Sequence, residues 1–167
     1  MPIVFFKNKI LPLQHKLFRL AISVTGTRQE AEDVVQEILI KIWNKRDHWD
    51  QINNMEAWCM RLTKNLSIDK RRSKHRRTDS LDGVYDLTDN NRLETQIEAK
   101  FTLEHVSKLI DLLPEKQKLV IHCREIEGMT YKEIANATGI EVNQVKTHLF
   151  RARKNIRQKM KIFQTND

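Results

Sequence analysis

The chain has 167 residues, 40% hydrophobic and 31% charged, with 30 Lys or Arg against 22 Asp or Glu and a net charge of +8. That apolar share excludes a mostly disordered chain, and the length admits one domain or two small ones. The charge favours a polyanionic partner, nucleic acid before anionic membrane, and no apolar run approaches the roughly 20 residues of a membrane helix.

The opening "MPIVFFKNKILPL" is broken by Lys7 and Lys9 too early for a signal-peptide core, so a cytoplasmic protein without membrane insertion is expected. Phe5 and Phe6 are expected to cover the first helix. The chain has only 4 Gly and 3 Pro, and its apolar residues recur at steps of three and four, which predicts an all-α protein. Helices are expected over 10–24, 28–46, 54–75, 99–112, 115–127, 131–138 and 142–161. Thr27 with Glu30, Asn53 with Glu56 and Thr130 with Glu133 read as capping boxes, in which a side-chain oxygen accepts from a free first-turn N–H and the Glu reaches back.

The helix over 28–46 buries Ala31, Val34, Val35, Ile38 and Ile42 on one side and carries Asp33, Gln36, Ile40 and Trp43 on another. A helix apolar on both sides is either enclosed in its own core or covered by a partner. The next helix has an apolar stripe of Met55, Cys59, Leu62 and Leu66 beside a second stripe of Trp58, Arg61, Asn65, Asp69 and Arg72. At about 100° per residue that second set spans roughly 80°. It suits stacking, amide bonding and phosphate contact with nucleic acid, and equally a Trp at a core edge with an Asp–Arg pair. The run "IDKRRSKHRR" ends this helix, with Lys74, Arg76 and Arg77 read as a fraying end. An acidic, flexible linker is expected over 78–96, separating helical domains at 5–77 and 97–163.

In the second domain "MTYKEIANATGIEVNQVKTHLFRARKNIRQKM" reads as helix, turn at Gly139, helix. Val142, Val145, Leu149, Ala152, Ile156 and Met160 form one stripe, opposite Asn143, Gln144, Lys146, Thr147, Arg151 and Lys154, and no acid occurs between Glu141 and Asp167. Charge alone would fit a solvated basic helix. The combination fits a DNA-binding helix-turn-helix, in which Asn, Gln and Arg pair with base edges and Lys with phosphates. Cys59 and Cys123, far apart and outside any C-x-x-C, read as small buried hydrophobes, and His122 beside Cys123 lacks metal spacing. No phosphate loop, nucleophile–base pair or carboxylate dyad is evident, so neither cofactor, metal nor catalytic residue is expected.

"LFRLAISVTGTRQEAEDVVQEILIKIW" followed by "AWCMRLTKNLSIDKRR" resembles the core-binding and −10 domain of bacterial extracytoplasmic-function (ECF) sigma factors, and "LPEKQKLVIHCREIEGMTYKEIANATGIEVNQVKTHLFRARKNI" resembles their −35-binding domain. The resemblance implies a monomeric promoter-specificity subunit of RNA polymerase, commonly held by an anti-sigma factor. It implies that Asp33, Gln36, Glu37, Ile40 and Trp43 dock on the β′ clamp helices of core polymerase. It implies that Trp58, Arg61, Asn65, Asp69 and Arg72 meet single-stranded −10 DNA, and that the loop "RDHWDQINN" receives an extruded base. Asn143, Gln144, Lys146, Thr147, Arg151 and Lys154 would read the −35 duplex, in a domain that also rests on the β flap. Glu141 stands where the family often has a Ser cap, and Asn143-Gln144 replaces a common Gly-Thr, which implies a different −35 sequence. Residues 1–9 have no clear family counterpart. Two other readings remain at this stage: a stand-alone helix-turn-helix regulator binding a palindrome, and a helical nuclease using the acids at 30–37.

Overall fold

The computed structural model describes residues 1–80 and 103–165, all-helical with no strand among them. The expected linker lies outside the described residues from 81 onward. Helix α1 (Pro2–Phe5) leads through a π-turn (Phe6–Ile10) and a 3-10 turn (Leu11–Leu13) into α2 (Gln14–Thr25). Gly26, at φ 86, ends α2 in the left-handed conformation that a residue without Cβ adopts at no steric cost. Thr27 then caps α3 (Arg28–Asn44) by accepting from the Glu30 N–H at 3.3 Å. The Glu30 carboxylate, expected to reach back to the cap, instead meets Lys74 at 2.9 Å.

A 3-10 turn (Arg46–Gln51) leads to α4 (Met55–Ser80). Here the cap is Asn54, whose Oδ1 accepts from the Ala57 N–H at 3.0 Å, one residue later than the expected Asn53. Glu56 is therefore not a capping-box partner and pairs with Lys16. The basic run is helical: α4 continues to Ser80, with Lys70 3.1 Å from Glu37 and Lys74 paired to Glu30, so two acids on α3 meet it at those positions. The buried stripe of α4 is rotated from the expected one. Cys59, Met60, Thr63 and Ser67 are at most 1% exposed, whereas Met55, Leu62 and Leu66 are half-buried, because α4 packs on α2 and α3 and also on the second helical group. The Thr63 hydroxyl tolerates burial by donating to the Cys59 carbonyl at 2.9 Å.

The second group comprises α5 (Leu103–Asp111), α6 (Glu115–Ile121) with a π-turn (His122–Ile126), α7 (Tyr131–Thr138) and α8 (Val142–Thr165). Thr130 and Glu133 form the expected capping box, and Gly139 at φ 78 closes α7. Val145, Leu149, Ala152 and Ile156 of α8 are buried, but Val142, in its first turn, is 37% exposed, so the apolar stripe starts at Val145. The two groups share one continuous core, joined chiefly where α4 meets α7 and α2 meets α6. Cys59 and Cys123 are fully buried, and burial pushes both thiols up to about 12, which leaves them unreactive.

Candidate nucleic-acid interface

On α8, Asn143, Gln144, Lys146, Thr147, Arg151 and Lys154 are all exposed, opposite the buried stripe. The Thr147 hydroxyl donates to the Asn143 carbonyl at 3.0 Å, the Lys146 ammonium lies 5.9 Å from the Tyr131 ring, and Arg153 is drawn sideways to Glu125 at 3.1 Å. Arg151 and Lys154 make no ion pair among the described residues. With no acid between Glu141 and Asp167, the exposed face offers amides and cations to a groove lined by acceptors and phosphates.

On α4, Arg61, Asn65, Asp69 and Arg72 are exposed along one face, and Trp58 is half-buried against the core at its edge. Both guanidinium groups are already engaged. Arg61 Nη2 donates to the Asn136 carbonyl at 2.8 Å, and Arg72 Nη2 lies 3.3 Å from Glu115 Oε1. Beside them the Lys64 ammonium donates to the Thr138 carbonyl at 2.9 Å.

On α3, Asp33, Gln36 and Ile40 are exposed, Ile40 by 62%, forming an uncovered edge with an apolar centre. Glu37 is half-buried between Lys41 and Lys70. Trp43, half-buried, borders this face beside Gln36. Its ring packs edge-on to Phe6 at 5.5 Å and lies 6.2 Å from Trp49, with the Arg46 guanidinium 5.0 Å above it. The N-terminal segment explains this: Phe5 and Phe6 pack on Trp49 and Trp43 rather than simply covering the first helix. Trp49 itself is 8% exposed, fixed by its indole N–H donating to the Ile42 carbonyl at 3.1 Å. A cleft of about 410 Å³ opens beside it, walled by Phe5, Trp49, Ile52 and Met55 and rimmed by Lys9, Asn53 and Glu56. Aromatic walls with amide, ammonium and carboxylate at the edge suit a planar base with hydrogen-bonding edges.

A further polar cluster, invisible in the sequence, lies between the helical groups. Arg19 Nε and Nη2 on α2 donate to Glu127 Oε1 and Oε2 at 2.7 and 2.9 Å. The Glu127 side chain is 4% exposed, with His122 Nε2 3.4 Å away. Burial works to raise the Glu127 carboxyl, but the hydrogen bonds and charge of Arg19, aided by His122 and Lys16, hold it below the ordinary carboxylate value. Burial pushes His122 down, against the attraction of Glu127. Among the described residues no group of His, Cys, Asp or Glu could hold a metal ion.

Residues 10–77 match the family described as sigma-70 region 2, and residues 103–156 match sigma-70 region 4. The chain is 30% identical over 146 residues to the ECF RNA polymerase sigma factor SigE of Mycolicibacterium smegmatis, covering 85% of this chain and 56% of that protein. It is 27% identical over 150 residues to the ECF sigma factor EcfG of Rhodopseudomonas palustris, covering 90% and 82%, and 28% identical over 157 residues to SigW of Bacillus subtilis, covering 87% and 83%. Its fold matches that of the sigma factor RpoE bound to the anti-sigma factor NepR from Bartonella quintana, with a TM-score of 0.73, 24% identity and coverage of 94% and 97%. CnrH in complex with the cytosolic domain of CnrY gives a TM-score of 0.67 at 23% identity, covering 94% and 88%. Two region matches in this order, over helices that present amides and cations on α4 and α8, make the chain a member of the sigma-70 family, in its extracytoplasmic-function group of promoter-recognising RNA polymerase sigma factors.

Proposed function

We propose that this sigma factor docks on the β′ clamp helices of core RNA polymerase through the α3 edge of Asp33, Gln36 and Ile40, with Glu37 beside it. Trp43, at the side of that edge, completes the docking surface. The α8 face of Asn143, Gln144, Lys146, Thr147, Arg151 and Lys154 reads the −35 duplex through its major groove, while the rest of that unit rests on the β flap. The α4 face of Trp58, Arg61, Asn65, Asp69 and Arg72 holds the single-stranded −10 element, and the cleft beside Trp49 takes one extruded base. Phe5 and Lys9 give that cleft a wall from the N-terminal segment.

The observation that carries this reading is the pair of exposed, amide- and cation-bearing faces on two helices of different groups, α4 and α8. Strand opening is then driven by binding free energy, stacking contributing about 1–3 kcal/mol per captured base. The chain supplies contacts and no bond chemistry. It acts in the cytoplasm, free as a monomer, and by the precedent of RpoE with NepR it is held by an anti-sigma factor. Among the described residues no helix is long and apolar enough to cross a membrane. The test is reconstitution: added to its cognate core polymerase, the protein should direct initiation from a promoter carrying its −35 and −10 elements. Failure on a correct promoter would refute the proposal, and specific duplex binding to a palindrome without polymerase would favour a stand-alone regulator.

A further inference from the structure

One side chain on the α8 face does not share its chemistry. Phe150 is 63% exposed and makes no ring–ring or cation–π contact among the described residues. At about 100° per residue, Asn143, Thr147, Phe150 and Lys154 fall within roughly 60° of one another. Val145, Leu149, Ala152 and Ile156 are buried on the opposite side. The ring therefore lies on the centre line of the exposed face, one turn from Lys146 in one direction and from Lys154 in the other. A scattered apolar side chain is ordinary on a surface. This one is ringed by an amide, a hydroxyl and two cations, so a groove that takes those groups takes the phenyl ring with them.

The major groove displays donors and acceptors at every base pair and a single kind of apolar group, the thymine 5-methyl. A phenyl ring neither donates nor accepts a conventional hydrogen bond, so that methyl is the base feature it buries favourably. Set against cytosine, the ring would cover the amino group and leave a donor without a partner, so one contact both selects and rejects. The geometry points to Phe150 as a specificity-determining residue: it packs on the methyl group of one thymine in the −35 duplex and selects a T·A pair there by burial. Asn143 and Phe150 are about 10 Å apart along the helix, so that thymine lies within about three base pairs of the one Asn143 meets. The inference rests on the assignment of the α8 face to −35 DNA.

The test uses the full chain bound to core polymerase, with promoter duplexes in which each thymine of the −35 element is replaced in turn by deoxyuridine. That replacement removes the methyl and keeps every hydrogen-bonding atom. In a competition gel-shift, one position should weaken binding of the wild-type chain by about 3- to 5-fold, the worth of one buried methyl group. Phe150→Ala, checked for helix content by far-UV circular dichroism, should bind the unmodified promoter about 5-fold more weakly. It should no longer respond to deoxyuridine at that position. Phe150→Leu, which keeps an apolar side chain, should retain part of the response. Wild-type affinity of Phe150→Ala would overturn the inference, as would a deoxyuridine effect that persists in it, or indifference of the wild-type chain to every replacement. Equal binding of the wild-type holoenzyme to a promoter with a scrambled −35 element would refute the −35 assignment itself.

Discussion

Arg151 and Lys154 stand exposed on α8 without an ion pair among the described residues, so their chemistry is available to a ligand at no cost of breaking a contact. If Arg151 reads a base edge, Arg151→Ala weakens binding to a −35 duplex fragment by about 1–3 kcal/mol, roughly 5- to 150-fold, with specificity relaxed at one base pair. Equal loss across all sequences in a gel-shift would reassign it to phosphate. Phe5 presents a partly exposed ring to the cleft beside Trp49, against which it packs at 5.1 Å. Phe5→Ala should cost about 1–3 kcal/mol of affinity for a single-stranded −10 oligonucleotide, the range for one stacked base. Binding of the −35 duplex should not change, and a −10 affinity equal to wild type would remove the N-terminal segment from the site.

At the scale of helices, α3 carries two surfaces of different fate. Its buried side packs on α2 and α4, and its open edge leaves Ile40 in solvent between Asp33 and Gln36. Asp33→Ala combined with Gln36→Ala should weaken association with core polymerase by more than about 1 kcal/mol while helix content is kept, measured by surface-immobilised core. Undiminished affinity would show that the polymerase grips elsewhere. Helix starts could be read wherever one residue offers the cap, as at Thr130 with Glu133. They could not be read to the residue at "NNME", where two adjacent asparagines compete and only the backbone path decides for Asn54. The α8 stripe was legible because one neighbour layer covers it. That of α4 was not, since two groups bury it from different sides and turn the dry line toward Met60, Thr63 and Ser67. The sequence left Trp43 between enclosure and docking because what covers it, Phe6, is remote in the chain.

At the scale of the molecule, the contacts between the groups are the least legible part. Arg19 and Glu127 are 108 residues apart, and neither belongs to any local pattern. The same cluster makes stability depend on pH. His122 is faced by Glu127, Arg19 and Lys118, and burial lowers it from the ordinary 6.5, so the unfolded chain binds its proton more readily than the folded one. The folded state is therefore fully favoured above 6.5 and loses stability as pH falls below it. Glu127, lowered from 4.5, adds stability that persists above 4.5 and is lost only as pH falls through its folded value. Thermal unfolding should thus show a midpoint that declines from about pH 7 to pH 5, a limb that His122→Gln flattens. A midpoint equally pH-dependent in that variant would place the titration elsewhere.

The ion pairs from Glu30 to Lys74 and from Glu37 to Lys70 have a mechanical consequence. They fasten the far turns of α4 to α3, so whatever grips α3 also aims α4. With 26 residues, α4 is a beam about 39 Å long at 1.5 Å per residue. Tilting it by about 5° about one end sweeps the other by about 3.4 Å, the axial spacing of successive nucleotides on one strand of duplex DNA. On the proposed docking of α3 and reading of the −10 strand by α4, the angular tolerance of that grip sets the tolerance with which the strand is positioned, and loosening those two ion pairs should blur that position before it weakens the hold.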